Sequence, residues 1–142
     1  MITVRLLHSD EADVLGHVVP DVFDHAIDPA QTAAFFADLR HHLAVALDDS
    51  LVVGMASAVE YYHPDKPPAL WINEVGVAPD YQRRGLGKRL VAVLLEHGRA
   101  LGCSEAWVGT EVENEAARQL YVASGGETGE PFVMYTFPLR AD

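Results

Sequence analysis

The stretch LWINEVGVAPDYQRRGLGKRLVAVLLEHGRAL, residues 70–101, decides the fold. Residues 70–77 form an apolar run that Pro79 closes, which predicts a strand. From residue 85 to residue 101 apolar side chains recur at the spacing of one helix face. A strand that enters a helix through a short basic turn is typical of proteins that combine both element types around one sheet.

The turn between the strand and the helix has the composition of a phosphate-binding loop. The first turn of a helix leaves backbone N–H groups without an intrahelical partner, and the helix dipole adds partial positive charge there. Gly85 and Gly87 let an anion approach the main chain closely, while Arg83, Arg84 and Lys88 add full charges. The sequence therefore predicts a phosphate site, with a basic turn that binds nothing as the alternative.

Two common nucleotide motifs do not fit this turn. A Walker-type loop requires a glycine five residues before Gly87 and a Ser or Thr after Lys88, where this chain has Gln82 and Arg89. A dinucleotide-binding fingerprint requires a third glycine at the position of Leu90. The phosphate ligand must therefore belong to another class.

Composition narrows the class of protein. With 142 residues, 49% of them hydrophobic, the chain is expected to form one domain, residues 1–142, with its own core. The net charge of −11 argues against a nucleic-acid partner and favours a cationic one. We expect a cytoplasmic protein without a membrane partner, because residues 1–13 lack the pattern of a signal peptide and no apolar run reaches the length of a membrane helix. No His, Asp or Glu cluster has the spacing of a metal site, and the single cysteine, Cys103, excludes an internal disulfide. That cysteine fits a small buried side chain better than a nucleophile.

Periodicity and turn residues predict the order of elements along the whole chain. The predicted helices span Ser9 to Phe23 with an interruption at Pro20, Asp28 to Arg40, Gly85 to Leu101, and Asn114 to Ser124. The predicted strands span Ile2–Leu7, His42–Leu47, Leu51–Glu60, Leu70–Val77, Glu105–Thr110 and Phe132–Leu139, with room for a short one near residues 126–130.

Four pieces of the sequence resemble, in the right order, the GNAT superfamily of N-acetyltransferases. They are EVGVAP, then QRRGLG, then a helix of the expected length, then N-x-x-A-x-x-L-Y-x-x-x-G from Asn114 to Gly125. The family's usual aromatic residue after that glycine is replaced by Gly126. The resemblance covers about residues 42–137 and implies a single-domain α/β (α+β) fold, in which helices flank a mixed, mostly antiparallel sheet of six to seven strands.

The runs VVGMASAVEYYHP and FVMYTFPL, and the acid in INEVGV, look similar to the gentamicin 3-N-acetyltransferase group within this superfamily. The resemblance implies acetyl-CoA as the acetyl donor and a cationic amine as the acceptor. It also implies a splayed pair of strands that admits the pantetheine arm. The residues expected to bind acetyl-CoA are Val75, Gly76, Val77, Gln82, Arg83, Arg84, Gly85, Leu86, Gly87, Lys88, Asn114, Ala117 and Tyr121.

Two residues are expected to carry the chemistry. Glu74 would take a proton from the attacking amine, because an ammonium group cannot attack a thioester. Its alternatives are an ion pair with a loop arginine, or anchoring of the acceptor while solvent takes the proton. Tyr121 would protonate the departing CoA thiolate, and its alternative is a core tyrosine. Asn114 also stands where a helix N-cap belongs.

The expected acceptor-binding residues are Asp24, Glu74, Glu111 and Glu113, although loop acids are often simply solvated. The preferred acceptor is an aminoglycoside at its 3-amino group, followed by a protein or peptide amine or a polyamine. The rival from another class is a non-catalytic acyl-CoA-binding sensor, which would need neither Glu74 nor Tyr121. Members of the superfamily often form homodimers. Trp71 and Trp107 are expected to pack in the core.

Overall fold

The structure is a computed structural model that describes residues 1–127 and 129–140. Two compact units divide the chain, the first formed by Met1–Gly109 and the second beginning at Thr110. The helices of the described part include none that is both long and apolar enough to cross a membrane.

The first unit is built on one five-stranded sheet in the order β1-β2-β3-β4-β5. Strands β1 to β4 pair antiparallel, and β5 joins β4 in parallel. This is the mixed, mostly antiparallel sheet that the family resemblance implies, with five strands instead of six to seven. The strands are β1 (Ile2–Leu6), β2 (His41–Asp48), β3 (Leu51–Tyr61), β4 (Ala69–Val77) and β5 (Ala106–Trp107).

Helix α2 (Leu86–Ala100) covers one face of the sheet. Its buried residues include Leu90 and Leu94, which are fully buried. A methyl group added at Gly54 would lie 3.3 Å from a Leu90 methyl carbon, so the helix lies close to the strands. The sheet allows this approach because its facing residues are small, namely Ala44, Ala46, Gly54, Ala56 and Ala58.

Helix α1 (Pro29–Ala37) and the segment before it form the apolar layer on the opposite face. Asp28 caps α1, since its carboxylate accepts hydrogen bonds from the backbone N–H groups of Ala30 and Gln31. The predicted start of this helix at Asp28-Pro29 is therefore confirmed. The core residues of this layer are Leu7, Leu15, Val22, Phe36, Leu43, Val45, Leu47, Val52, Met55 and Ala78.

The helix predicted from Ser9 to Phe23 is wrong. Only a 3-10 helix, Ala12–Gly16, forms there. The residues after it obtain their hydrogen bonds from the sheet, because the Val19 N–H donates to the Val52 carbonyl and the Val52 N–H donates to the His17 carbonyl. A backbone satisfied by a neighbouring strand has no need of helical bonds.

Two predictions in the last third of the chain also need correction. The fifth strand contains only Ala106–Trp107 instead of Glu105 to Thr110. Residues 132–139 form no strand, and their large apolar side chains are 58% to 95% exposed, from Phe132 to Leu139. A segment rich in β-branched and aromatic residues has a high strand propensity, but a strand also requires a neighbouring strand that pairs with its backbone N–H and C=O groups. The short strand predicted near residues 126–130 includes Thr128, which lies outside the described residues.

Candidate active site

Strand β4 has a backbone edge that is available to a ligand. It pairs with β3 from Ala69 to Val77, but with β5 only at Leu70 and Trp71. Within residues 1–109, therefore, the part of β4 after Trp71 has a strand on one side only. An extended ligand could add to such an edge through main-chain hydrogen bonds. Val75, Gly76 and Val77, the expected backbone contacts, lie in this part and are half-buried.

The loop from residue 82 to residue 88 has two left-handed residues and leads directly into helix α2. Arg83 and Gly85 both adopt left-handed conformations, with φ of 64° and 76°. Helix α2 then begins at Leu86, and no side chain of the described residues caps it. No protein group in the described residues accepts the backbone N–H groups of Leu86, Gly87 and Lys88. Unpaired N–H groups at a helix start, preceded by left-handed residues, form an anion-binding concavity.

The same loop concentrates positive charge and is held in place by neighbouring groups. Four of the ten Lys and Arg residues of the chain lie in residues 82–89, although the chain as a whole is acidic. The Arg84 guanidinium donates to the Asp80 carbonyl at 3.1 Å and lies 4.9 Å from the centre of the Tyr81 ring. The Gln82 amide donates to the Val77 carbonyl at 3.0 Å, which ties the loop to β4.

Tyr81 connects the loop to the sheet. Its hydroxyl donates to an Asp48 carboxylate oxygen at 2.6 Å, and this hydrogen bond raises the pKa of the Tyr81 phenol. The bond joins residues that are 33 positions apart in sequence. The loop is therefore positioned by contacts with its own neighbours in the protein.

Glu74 lies on the face of β4 opposite to α2. It is paired with Ser57, whereas Leu70, two residues into the strand, contacts Gly98 of α2. An irregularity between Ser57 and Ala58 shifts the register by one residue, so Trp71 and Glu74 share a face although three positions separate them. The Glu74 carboxylate is exposed, and none of the ion pairs in the described part includes it.

The segment after the 3-10 helix passes directly over this face. A Cβ atom added at Gly76 would lie 2.4 Å from the Val22 carbonyl oxygen, so only glycine allows this approach. The segment surrounds an open cavity of about 440 Å³ lined by Leu15, Gly16, Val18, Val19, Pro20, Asp21, Phe23, Asp24, His25, Ala26 and Ile27. Asp24, an expected acceptor-binding residue, is exposed in this lining, and Asp21 adopts a left-handed φ of 70°.

The second unit contains helix α3 (Glu115–Ala123). The Asn114 side chain accepts the Ala117 N–H at 3.1 Å, which confirms its role as the N-cap. Tyr121 is half-buried, and burial raises the pKa of its phenol. The hydroxyl is therefore protonated at neutral pH, as a proton donor must be. Glu111 and Glu113 are exposed, and the Glu111 carboxylate accepts a bond from the Thr110 hydroxyl at 3.4 Å.

Sequence reasoning missed a buried polar cluster between α2 and the sheet. His42 of β2 and His97 of α2 share a hydrogen bond of 3.1 Å between Nδ1 and Nε2. Glu60 of β3 is 7% exposed, and its carboxylate lies 3.7 Å from His42 Nε2, too far for a hydrogen bond. Burial, reinforced by His97, lowers the pKa of His42 from 6.5 to about 4. His97 is partly buried, and its hydrogen-bond partner His42 lies 55 positions away in the sequence.

Sequence reasoning also misplaced the tryptophans. Trp107 is 43% exposed and Trp71 is half-buried, so the expectation that both pack in the core is wrong. Cys103 is half-buried, and burial raises the pKa of its thiol. In residues 1–127 and 129–140, no three His, Cys, Asp or Glu side chains lie close enough together to hold a metal ion.

Comparison with known proteins identifies the family. A family model described as the acetyltransferase (GNAT) family matches residues 7–125. Over 100 residues the chain is 30% identical to aminoglycoside N(6')-acetyltransferase type 1 of Salmonella typhimurium, a match that covers 66% of this chain and 69% of the relative.

Two solved structures share the fold. An aminoglycoside acetyltransferase from an uncultured soil metagenomic sample, crystallised with trehalose, superposes with a TM-score of 0.87. It is 17% identical, and the match covers 98% of this chain and 97% of that one. The aminoglycoside N-acetyltransferase AAC(6')-Iy in complex with CoA superposes with a TM-score of 0.76 at 23% identity, covering 96% and 95%. These likenesses confirm the predicted α/β fold.

Proposed function

The chain belongs to the acetyltransferase (GNAT) family, and from this premise we propose that it acetylates a primary amine of an aminoglycoside by direct attack on acetyl-CoA. Membership makes it an acetyl-CoA-dependent N-acetyltransferase. One observation carries the proposal. Strand β4 carries an exposed carboxylate and, within residues 1–109, a backbone edge without a second strand, and a basic loop with unpaired N–H groups follows it in the chain.

The proposed binding of acetyl-CoA uses the edge and the loop. The backbone of residues 75–77 would hydrogen-bond the pantetheine arm as a strand does, because this part of β4 lacks a second strand within residues 1–109. Residues 82–88 would hold the pyrophosphate with N–H groups and positive side chains. Asn114, Ala117 and Tyr121 would supply the remaining contacts, as the family resemblance implies.

The proposed chemistry is one acyl transfer without a covalent enzyme intermediate. Glu74 removes a proton from the ammonium group, and the amine nitrogen then bonds to the thioester carbonyl carbon. A backbone N–H of β4 stabilises the oxyanion until the C–S bond breaks. Tyr121 gives its proton to the thiolate, and the nitrogen loses its second proton as the amide forms, which returns a proton to the Tyr121 phenolate. The raised pKa of Cys103 supports direct attack, because a thiol that stays protonated is a poor nucleophile.

Charge supports a polycationic acceptor. The protein carries a net charge of −11, and the exposed carboxylates of Glu74 and Asp24 belong to β4 and to the segment that crosses its face. Aminoglycosides carry several ammonium groups, which such a surface attracts. The sequence resemblance implied the 3-amino group, whereas the curated relative is named for the N(6') position, so the comparisons do not support the 3-amino assignment.

Release of CoA from acetyl-CoA, measured with gentamicin, kanamycin, spermidine and an N-terminal peptide, tests the proposal. Saturable turnover with an aminoglycoside supports it, and NMR of the product then identifies the acetylated nitrogen. Turnover with the peptide or spermidine alone would show that the acceptor is that amine and not an aminoglycoside. Tight acetyl-CoA binding without turnover of any amine would favour the sensor. Arg84→Ala and Gly85→Asp should each weaken acetyl-CoA binding, with Arg99→Ala at the far end of α2 as the control.

A further inference from the structure

Two indole rings are stacked on the β4 face that carries Glu74. Trp71 and Trp107 are register partners across the parallel pair of β4 and β5. Their ring centres are 5.4 Å apart and their planes differ by 13°. The Trp107 Nε1–H group donates to the Tyr61 hydroxyl, which fixes the orientation of the outer ring. The pair is therefore a rigid surface before any ligand arrives.

Position and exposure make this surface available. Leu70 packs against Gly98 of α2, so its neighbour Trp71 points away from that helix. Glu74 lies on the same face, three residues further along β4, which corresponds to roughly 10 Å along a strand. Trp107 is 43% exposed. A large aromatic ring that remains open although its polar edge is bonded is suited to binding.

A second carboxylate lies beyond the indoles. Glu105 is exposed, and its carbonyl accepts the Leu70 N–H at 3.0 Å, so the backbone is already in sheet register there. Strand alternation places Glu105 on the same face as Trp107, two residues earlier. Carboxylates thus precede and follow the aromatic surface, as a ligand with ammonium groups at both ends requires.

We propose that Trp71 and Trp107 bind a second ring of the acceptor, while the reacting amine on the first ring reaches Glu74. The proposal rests on the proposed function and specifies which amines the enzyme prefers. The C–H face of an amino-sugar ring is apolar and packs on an indole, and its ammonium groups add cation–π attraction. Glu105 pairs with an ammonium group of that second ring. Acceptors with one ring, or with no ring, leave this surface empty.

Intrinsic fluorescence tests binding at this surface without catalysis, because the chain contains 2 tryptophans and both belong to the pair. Kanamycin, which has three rings, should quench or shift the emission saturably in the absence of acetyl-CoA. Glucosamine, with one ring, should change it far less at the same occupancy of the active site. A saturating kanamycin titration without any spectral change would overturn the proposal.

Steady-state kinetics test the consequence for specificity. Trp107→Leu and Glu105→Gln should each raise the KM for kanamycin about tenfold while the KM for acetyl-CoA and the kcat stay the same. The KM for glucosamine should not move in either variant, and Trp107→Leu should leave the KM for spermidine unchanged. Trp107→Phe keeps an aromatic face and should show a smaller effect. Tyr62→Ala is the matched control, because Tyr62 is also a large exposed aromatic, 64% exposed, but bonds Glu60 on the other face.

The two proposals fail in different ways. If the wild-type enzyme acetylates kanamycin but Trp107→Leu and Trp107→Phe keep its KM, the acceptor is right and the stacking surface is wrong. If the wild-type enzyme acetylates no aminoglycoside, the proposed acceptor is wrong and the stacking proposal fails with it. Far-ultraviolet circular dichroism and the Tm of each variant establish that it is folded.

Discussion

At Glu74 the environment of the carboxylate supports the role proposed for it. The side chain is exposed and belongs to none of the ion pairs in the described residues, so the predicted alternative of an ion pair with a loop arginine is not found there. An exposed carboxylate without an ion-pair partner can accept a proton from an amine or attract a cation. Mutation distinguishes the two roles.

Glu74→Gln should lower kcat by about 100-fold, because a positioned base typically contributes that much or more. The affinity for acetyl-CoA, measured by isothermal titration, should stay within a factor of two, roughly, since a neutral isostere leaves the backbone edge intact. Glu96→Gln on the exposed side of α2 is the control and should behave as wild type. A raised KM with unchanged kcat would mean that Glu74 only anchors the acceptor.

At the level of elements, the segment that contains Val22 passes close over strand β4. Gly76 is the point of closest approach, since an added Cβ would meet the Val22 carbonyl oxygen at 2.4 Å. A backbone oxygen cannot rotate away as a flexible side chain can. The segment that carries Asp24 is therefore held to the strand that carries Glu74 by a contact that only glycine permits.

Gly76→Ala should lower the free energy of unfolding by about 1–3 kcal/mol, because the crossing segment must move to admit a methyl group. Urea denaturation followed by circular dichroism measures the change. Gly16→Ala is a matched control in the same layer, since among the described residues no atom other than those of its chain neighbours lies within 4 Å of a Cβ added there. Its stability should change by less than about 0.5 kcal/mol. Equal midpoints for Gly76→Ala and wild type would contradict the packing described here.

Packing of α2 on the sheet makes His42 a source of acid sensitivity. The groups that face it are His97 from α2 and Glu60 from β3. Burial is the largest cause of its lowered pKa, and the charges of His97 and of His41, the preceding residue in β2, add to it. The native pKa of about 4 lies below the unfolded value of 6.5, so the unfolded state binds more protons between these two pH values. The stability contributed by neutral His42 is thus present above pH 6.5 and lost as the pH falls towards 4.

His42→Gln removes this titration and keeps a neutral polar group. The difference in unfolding free energy between wild type and variant should shrink by roughly 2–3 kcal/mol from pH 7 to pH 4. Guanidinium unfolding curves at four pH values measure this difference. The titration of carboxylates elsewhere affects both proteins equally and so does not contribute to the difference. A difference that stays constant with pH would mean that His42 titrates in the native state as it does in the unfolded chain.

At the level of the molecule, charge is divided unevenly. The chain carries −11, while four of its ten basic residues lie in the eight positions from 82 to 89. One protein can in this way attract an anionic donor to its loop and a cationic acceptor to its remaining surface. An acceptor with several positive charges is then attracted more strongly by the negative potential of the protein than a monoamine is.

Salt should therefore act on acceptors according to their charge. Raising NaCl from about 50 to about 300 mM should increase the KM for gentamicin several-fold, and the KM for glucosamine by less than about twofold. The measurement uses saturating acetyl-CoA, so that any weakening of acetyl-CoA binding by salt does not affect the KM measured for the acceptor. Equal salt dependence for the two acceptors would mean that the acidic surface serves solubility alone.

The sequence by itself determined the features that depend on neighbouring residues. Periodicity predicts strand β4 and helix α2. The caps of α1 and α3 follow from backbone N–H groups that find a side-chain acceptor within three residues, in Asp28 and Asn114. The tertiary structure decided the rest. The stacked pair joins residues 36 positions apart, 71 and 107, and the His42–His97 bond joins residues 55 apart. The segment after Gly16 takes its hydrogen bonds from β3. No local pattern encodes such partners, because each is chosen by which strands and helices come together.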